Sequence, residues 1–134
     1  MPSGVRSAIL GILVIEDDDD LRDSLVEDLA VIGHSVRGAR NGVEGLELAT
    51  ANRFDCILLD VGLPGLHGHE VARRVRERGF RGAIIAVSGF ARDSDRQAAR
   101  EAGCDAYLIK PVDLKLLHDS IRAFTHRAKF AMVR

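Results

Sequence analysis

The sequence predicts an α/β fold in which five helices cover both faces of a doubly wound, five-stranded parallel sheet. Two observations predict it. Short aliphatic stretches alternate strictly with longer segments in which apolar residues recur every three or four positions. The first stretch, Leu10 to Ile15, is a continuous aliphatic run, as in a parallel strand buried on both faces. Because strands and helices alternate, each connection is expected to be a right-handed crossover that lays a helix on the sheet.

In the first half of the chain, three strands alternate with two helices. Gly33 is expected to end the first helix, because glycine readily adopts the left-handed conformation found at helix C-termini. Asn41 is a suitable N-cap for the second helix, since its side-chain oxygen can accept from a free backbone N–H. The strands are predicted at 10–15, 35–39 and 56–59, and the helices carry Leu21, Leu25, Leu29 and Ile32, then Val43, Leu46 and Leu48.

The second half of the chain predicts three helices and two strands. Residues 70–78 form the third helix, with Val71 and Val75 facing inward. Gly103 closes the fourth helix and Asp113 caps the fifth. The strands are predicted at 83–87 and 106–109, the fourth helix at 93–102, and the fifth helix carries Leu116, Leu117, Ile121 and Phe124.

Length and charge favour one domain and exclude two classes of partner. The 134 residues are 46% hydrophobic, which is enough for a core without disulfide or metal crosslinks. We expect a single domain over 1–134 with its core at about 9–126 and loosely held ends at 1–7 and beyond about 127. Nineteen Lys and Arg balance 20 Asp and Glu, which argues against a nucleic-acid binder and a polybasic membrane anchor.

A cytoplasmic location is expected. No apolar stretch approaches the roughly 20 residues of a membrane span. The two cysteines, Cys56 and Cys104, match no metal-ligand spacing. We interpret them as free thiols in a reducing compartment, with a disulfide as the alternative.

Polar residues stand where four predicted strands end. They are Glu16, Asp17, Asp60, Ser88 and Lys110. In a doubly wound sheet the ligand site lies beyond the carboxyl ends of the strands, so these side chains should share one edge. Clustered carboxylates repel one another, and Mg²⁺ relieves that repulsion while keeping several waters. An ammonium and a hydroxyl beside a nucleophilic carboxylate are typical of phosphoryl transfer.

Four stretches of the chain resemble the response-regulator receiver domain of two-component signalling. They are ILVIEDD at 12–18, LLDVGLPG at 58–65, VSG at 87–89 and YLIKP at 107–111. The resemblance spans about residues 9–126. It implies a flavodoxin-like fold of five strand–helix units with strand order 2-1-3-4-5. It also implies a signalling switch, rather than an enzyme, that catalyses only its own phosphorylation and dephosphorylation.

The resemblance implies a phosphoacceptor and a metal site. Asp60 matches the aspartate that accepts a phosphoryl group from the phosphohistidine of a kinase. Asp17 matches the direct metal ligand and Glu16 the acid that acts on the metal through water. Together with Asp60 and the backbone carbonyl of Gly62, they are expected to bind Mg²⁺ or Mn²⁺.

Further residues match the phosphoryl-binding and switch positions. Ser88 and Lys110 match the groups that hold the phosphoryl oxygens, and Tyr107 matches the aromatic residue whose rotamer reports phosphorylation. A cis bond is expected between Lys110 and Pro111. Phe90 is bulky and lies two residues beyond Ser88. We hypothesise that it shields the acyl phosphate from water.

The partners follow from the same resemblance. A histidine kinase or a histidine phosphotransfer protein is expected to donate the phosphoryl group. The fourth helix, fifth strand and fifth helix are expected to form the switch surface, with homodimerisation as one use of it and the downstream target unknown. No effector domain follows residue 126, so the chain is interpreted either as a stand-alone receiver or as one from a hybrid kinase.

Individual residues argue against three alternative functions. A haloacid-dehalogenase-type phosphatase generally needs a second aspartate two residues after the nucleophile, where this chain has Gly62. A receiver-like module without phosphorylation usually loses part of the acidic, hydroxyl and lysine set. A nucleotide-binding function lacks the G-x-G-x-x-G motif after the first strand. Asp18 to Asp20 are interpreted as a solvated helix start, and His67 and His69 as exposed loop residues.

Overall fold

The computed structural model describes residues 9–63 and 66–133, with side chains described as far as residue 125. One parallel sheet has the order β2-β1-β3-β4-β5, which confirms the predicted fold class and strand order. The elements are β1 (Gly11–Ile15), α1 (Asp19–Ile32), β2 (Ser35–Ala39), α2 (Gly42–Ala51), β3 (Cys56–Asp60), α3 (Gly68–Glu77), β4 (Ala83–Ser88), α4 (Asp93–Ala102), β5 (Ala106–Ile109) and α5 (Leu114–Val133).

Helix boundaries follow local capping chemistry. Asp18 caps α1 by accepting from the Leu21 N–H at 3.1 Å. Asn41 caps α2 as predicted. Gly33 adopts φ 117°, a left-handed conformation that disfavours any other residue, and so ends α1. These short-range signals are why the sequence placed most helices correctly.

Three helix boundaries differ from the prediction, and one of them, the end of α3 at Glu77 rather than residue 78, differs by a single residue. Helix α3 begins at Gly68, two residues early, because the Nδ1 atom of His67 accepts from the His69 N–H at 3.2 Å and caps the first turn. Helix α5 runs to Val133, past the expected core limit at residue 126. The predictions for residues 1–7, and for Pro64 and Gly65 in the loop after β3, lie outside the described residues.

The sheet separates two apolar cores. Successive strand residues point to opposite faces, so Ile12 packs beneath α1 and α5 while Leu13 packs beneath α2, α3 and α4. Val71 and Val75 of α3 are buried, as predicted. Val43 and Leu116 are instead 57% and 53% exposed. The apolar spacing alone did not identify them as lying outside the buried stripe.

Both cysteines lie in the interior of the protein. Cys56 and Cys104 are both free and buried, so the interpretation as thiols is confirmed. Burial raises the pKa of both thiols, that of Cys104 to about 12. In the described part of the chain, no helix combines the length and apolar character needed to cross a membrane.

Candidate functional site

Three carboxylates meet where the strand order reverses. Glu16 follows β1, Asp17 is next in sequence, and Asp60 ends the adjacent strand β3. One oxygen from each lies within 4.8 Å of the others. Glu16 and Asp60 are buried, whereas Asp17 is exposed and leaves one side of the cluster open. Hard oxygen ligands at this spacing, open to water on one side, fit a divalent cation such as Mg²⁺.

A lysine joins two of these carboxylates. The Nζ atom of Lys110 lies 3.2 Å from Oε1 of Glu16 and 3.5 Å from Oδ2 of Asp60. Burial lowers the pKa of the ammonium, but the negative charges of Asp60 and Glu16 outweigh it and raise that pKa above its usual value. The Lys110–Pro111 bond is cis, as expected. Lys110 therefore presents a permanent positive charge beside Asp60.

The carboxyl group of Glu16 has a strongly raised pKa. Burial raises its pKa to about 7 and the neighbouring Asp60 adds to the shift, while a hydrogen bond from the Asp18 N–H and the charge of Lys110 oppose it. A pKa above the unfolded value means that ionising Glu16 destabilises the fold as pH rises towards 7. A cation among the carboxylates offsets that loss.

Both oxygens of Asp60 are held in place. Oδ1 accepts from the backbone N–H of Gly62 at 2.9 Å, and Oδ2 faces Lys110. Gly62 therefore lies against the carboxylate, although the expected metal contact of its carbonyl stays a prediction. A carboxylate fixed in this way has one oxygen beside a cation and is suited to act as a nucleophile.

The other predicted residues form a path from the site to the surface. Ser88 is buried, and its Oγ accepts from the backbone N–H of Phe90 at 3.0 Å. The carbonyl of Phe90 accepts from the Tyr107 hydroxyl at 2.8 Å. The guanidinium of Arg96 on α4 lies 5.3 Å from the centre of the Tyr107 ring. The backbone of Phe90 thus connects the buried hydroxyl to the surface of α4 and β5.

Sequence reasoning missed Arg22 as part of the site. Its guanidinium donates to the backbone carbonyl of Glu16 at 3.1 Å and pairs with Asp19 at 2.7 Å. The side chain is only 13% exposed despite its place in the first turns of an acidic helix. It anchors the backbone from which two of the carboxylates project. A backbone acceptor six residues away leaves no pattern in the sequence that could have revealed this.

The acidic run and the loop histidines behave as two different groups. Asp18 to Asp20 are exposed at the beginning of α1, as interpreted from the sequence. His67 is exposed, but His69 lies inside α3 and is half-buried, so the loop assignment was wrong for that residue. Among the described residues, the one cluster of three metal-ligating side chains is that of Glu16, Asp17 and Asp60.

Gly68 permits α3 to begin directly against the end of β3. A Cβ atom at this position would lie 2.5 Å from the Cα of Val61 and 2.6 Å from the carbonyl oxygen of Asp60. Both are backbone atoms, so the strand end itself must shift. We expect Gly68→Ala to lower the free energy of unfolding by about 1–3 kcal/mol, measured by urea denaturation.

The matched control for this substitution is Gly89→Ala. No heavy atom lies within 4 Å of a Cβ built at Gly89, which also follows a strand that ends at the site. This variant should retain the parent stability. Equal stability of the two variants would show that the close approach at Gly68 does not constrain the chain.

A doubly wound sheet of this order, with an acidic cluster and a lysine at its switch point, defines a receiver-type domain. A family model described as the response regulator receiver domain matches residues 12–122. The chain belongs to the response regulator receiver domain family.

Individual relatives agree with the family. The response regulator MprA of Mycobacterium leprae is 41% identical over 118 residues, which are 88% of this chain and 52% of that protein. The chain thus spans about half the length of the curated relatives that it matches. The CheY-like receiver domain of Methanospirillum hungatei superposes with a TM-score of 0.87 at 27% identity, covering 92% of this chain and 99% of its own.

One similar structure carries a modified aspartate. A response regulator of Burkholderia pseudomallei, determined with a phosphorylated aspartic acid, a calcium ion and citrate, superposes with a TM-score of 0.79 at 25% identity. The match covers 91% of this chain and 72% of that one.

Proposed function

We propose that this chain is a phosphorylation-controlled switch in which Asp60 accepts a phosphoryl group in the presence of Mg²⁺ or Mn²⁺. The observation that carries the proposal is the meeting of Asp60 with Glu16, Asp17 and the Lys110 ammonium at one strand edge. The phosphorylated aspartate and calcium ion of the Burkholderia pseudomallei relative support it. The proposal includes a single receiver domain over 1–134 and a cytoplasmic location.

The donor is proposed to be a phosphohistidine of a histidine kinase or phosphotransfer protein. A carboxylate oxygen of Asp60 attacks phosphorus, and the histidine nitrogen departs with the electrons of the broken P–N bond. Lys110 pairs with a phosphoryl oxygen, and the Ser88 hydroxyl donates a hydrogen bond to another. Glu16, Asp17, Asp60 and the Gly62 carbonyl would hold a divalent cation, which when bound neutralises charge on the transferred group.

Phosphorylation is proposed to alter the surface of α4, β5 and α5 through Ser88. Its Oγ now accepts from Phe90, and turning towards a phosphoryl oxygen would weaken that hydrogen bond. The Phe90 carbonyl would then move relative to the Tyr107 hydroxyl, from which it accepts a hydrogen bond. A ligand shifts a two-state equilibrium only through contacts that differ between the states. Here the differing contacts would be the hydrogen bond between Ser88 and Phe90 and the one between Phe90 and Tyr107. Homodimerisation is one proposed use of the altered surface.

The proposal is tested with a small phosphodonor such as acetyl phosphate, with and without Mg²⁺. An adduct of roughly 80 Da should appear with the metal and fail to form after chelation. Adduct formation by the Asp17→Asn variant should require at least about tenfold more Mg²⁺, because the substitution removes the exposed ligand of the cluster. Asp20→Asn changes an equally exposed aspartate outside the cluster and should leave the requirement unchanged. Adduct formation independent of metal would overturn the proposal.

Phe90→Ala is expected to shorten the lifetime of the phosphorylated form by several-fold. The Phe90 ring is 61% exposed and lies beneath the guanidinium of Arg92, with 5.7 Å between guanidinium carbon and ring centre. We propose that the ring turns over a phosphoryl group on Asp60 and excludes water. The measurement is loss of adduct with time after removal of the donor. An unchanged half-life would refute the shielding hypothesis, since the backbone contacts of residue 90 persist in this variant.

A further inference from the structure

A second cluster of titratable groups lies at the opposite end of the sheet from the acidic site. His34 immediately precedes β2 and its side chain is buried, with 8% of the residue exposed. Its Nδ1 accepts from the Leu10 N–H, just before β1, at 3.2 Å. The ring of His118 on α5 lies 6.0 Å away between centroids, at an interplanar angle of 39°. The two imidazoles thus place this part of α5 beside the segments that precede β1 and β2.

The hydrogen bond to Leu10 determines the protonation of His34. A neutral imidazole has one N–H, so an accepting Nδ1 places the proton on Nε2. Nε2 of His34 and Nδ1 of His118 are both buried without a hydrogen-bond partner among the described residues. Since Nε2 of His34 carries a proton, it has no lone pair for a metal ion. The pair is therefore not a metal site, and its chemistry is that of proton uptake.

Protonating His34 has three unfavourable consequences. The added proton must occupy Nδ1, towards which the Leu10 N–H already points. The resulting charge is buried. A protonated His118 then repels it across 6.0 Å. Burial first, and the charge of His118 second, lower the pKa of His34 below its usual value.

Among the described residues, His34 has no carboxylate partner. Its ring accepts from the backbone just before β1 and lies beside His118 of α5, the one described group whose charge acts on it. Within those residues, no hydrogen bond or ion pair joins His34 to a carboxylate that could stabilise the imidazolium. The site is built to keep His34 neutral.

We propose that His34 and His118 form a pH-sensitive latch that keeps α5 beside the start of the sheet while the buried His34 ring is neutral and releases it when His34 is protonated. The folded state binds fewer protons at His34 than the unfolded state. Its contribution to stability is therefore complete above the usual pKa of about 6.5 and is lost as pH falls through the lower pKa of the folded protein. Acidification would loosen α5, and with it the proposed switch surface, independently of Asp60.

A direct test is an NMR titration of the histidine side chains in the whole chain. We expect His34 to be the Nε2–H tautomer, with a midpoint below the usual value of about 6.5. His118→Leu should move that midpoint upward by removing the like charge. Asp60→Asn should leave it unchanged, which separates the latch from the phosphoryl site. A His34 midpoint at or above the usual value, or one unmoved by His118→Leu, would overturn the proposal.

A stability measurement gives an independent readout. Between pH 7.5 and 5, the melting temperature of the parent chain should fall by about 3 °C more than that of His34→Gln, whose side-chain oxygen can still accept from Leu10. The matched control is His67→Asn, because asparagine preserves the N-cap of α3 while removing an exposed imidazole. Its pH dependence should follow the parent. A pH dependence of His34→Gln equal to that of the parent would contradict the latch.

Discussion

Asp60→Asn is expected to abolish phosphoryl transfer to this chain. The carboxamide has nearly the shape of the carboxylate, and its oxygen can still accept from the Gly62 N–H. It lacks the anionic oxygen that attacks phosphorus, so the rate should fall on the order of 10⁴-fold or more. The measurement is the time course of the phosphorylated mass with Mg²⁺ and a small phosphodonor.

The fold should survive this substitution. Removing one of three clustered carboxylates relieves repulsion around Glu16, so the metal-free variant should be at least as stable as the parent. Asp93→Asn, at the beginning of α4 and exposed, is the control and should be phosphorylated normally. An adduct that forms at the parent rate in Asp60→Asn would exclude Asp60 as the acceptor.

Lys110→Met is expected to have the second largest effect. It removes the one ammonium within 4 Å of both Glu16 and Asp60 among the described residues. Without it, charge on the transferring phosphoryl group loses a preorganised partner, and the phosphorylation rate should fall by about 100-fold. The residual adduct should also fail to alter the environment of Tyr107, which can be followed by the fluorescence of this single tyrosine.

The stability of the Lys110→Met variant gives a second readout, with Lys115→Met as the control. Two buried carboxylates lose their counter-charge, so the metal-free variant should be less stable by about 1–3 kcal/mol in urea denaturation, with Mg²⁺ restoring part of the loss. Lys115→Met removes a lysine of α5 that is 86% exposed and paired only with Asp119. It should change neither property. If Lys110→Met and Lys115→Met have the same phosphorylation rate and the same stability, the role proposed for Lys110 is wrong.

Element boundaries were predictable from the sequence where residues close to the boundary specify them. Helix α4 and strands β2 and β5 have the predicted bounds. Gly103 specifies the end of α4, and the apolar run at 106–109 specifies β5, within a few residues. The start of α3 was missed because histidine is an unusual N-cap. Val43 and Leu116 were placed with their apolar neighbours, since helical spacing locates a stripe but not its edges.

The composition of the site was predictable for a topological reason. Parallel strands end at one edge of a sheet, so Asp60 and Lys110 had to lie at the same edge whatever the details of packing. Their contacts were not predictable. The bond from Arg22 to a backbone carbonyl and the pairing of His34 with His118 arise only when separate helices pack on the sheet.

The most direct measurement is to locate the phosphoryl group in the parent chain. After phosphorylation with Mg²⁺, the protein is digested and the peptides are fragmented in a mass spectrometer. The modification should lie on Asp60, at the end of β3, and on no other residue. A phosphoryl group on Glu16, Asp17 or a histidine, with Asp60 unmodified, would contradict the proposed function.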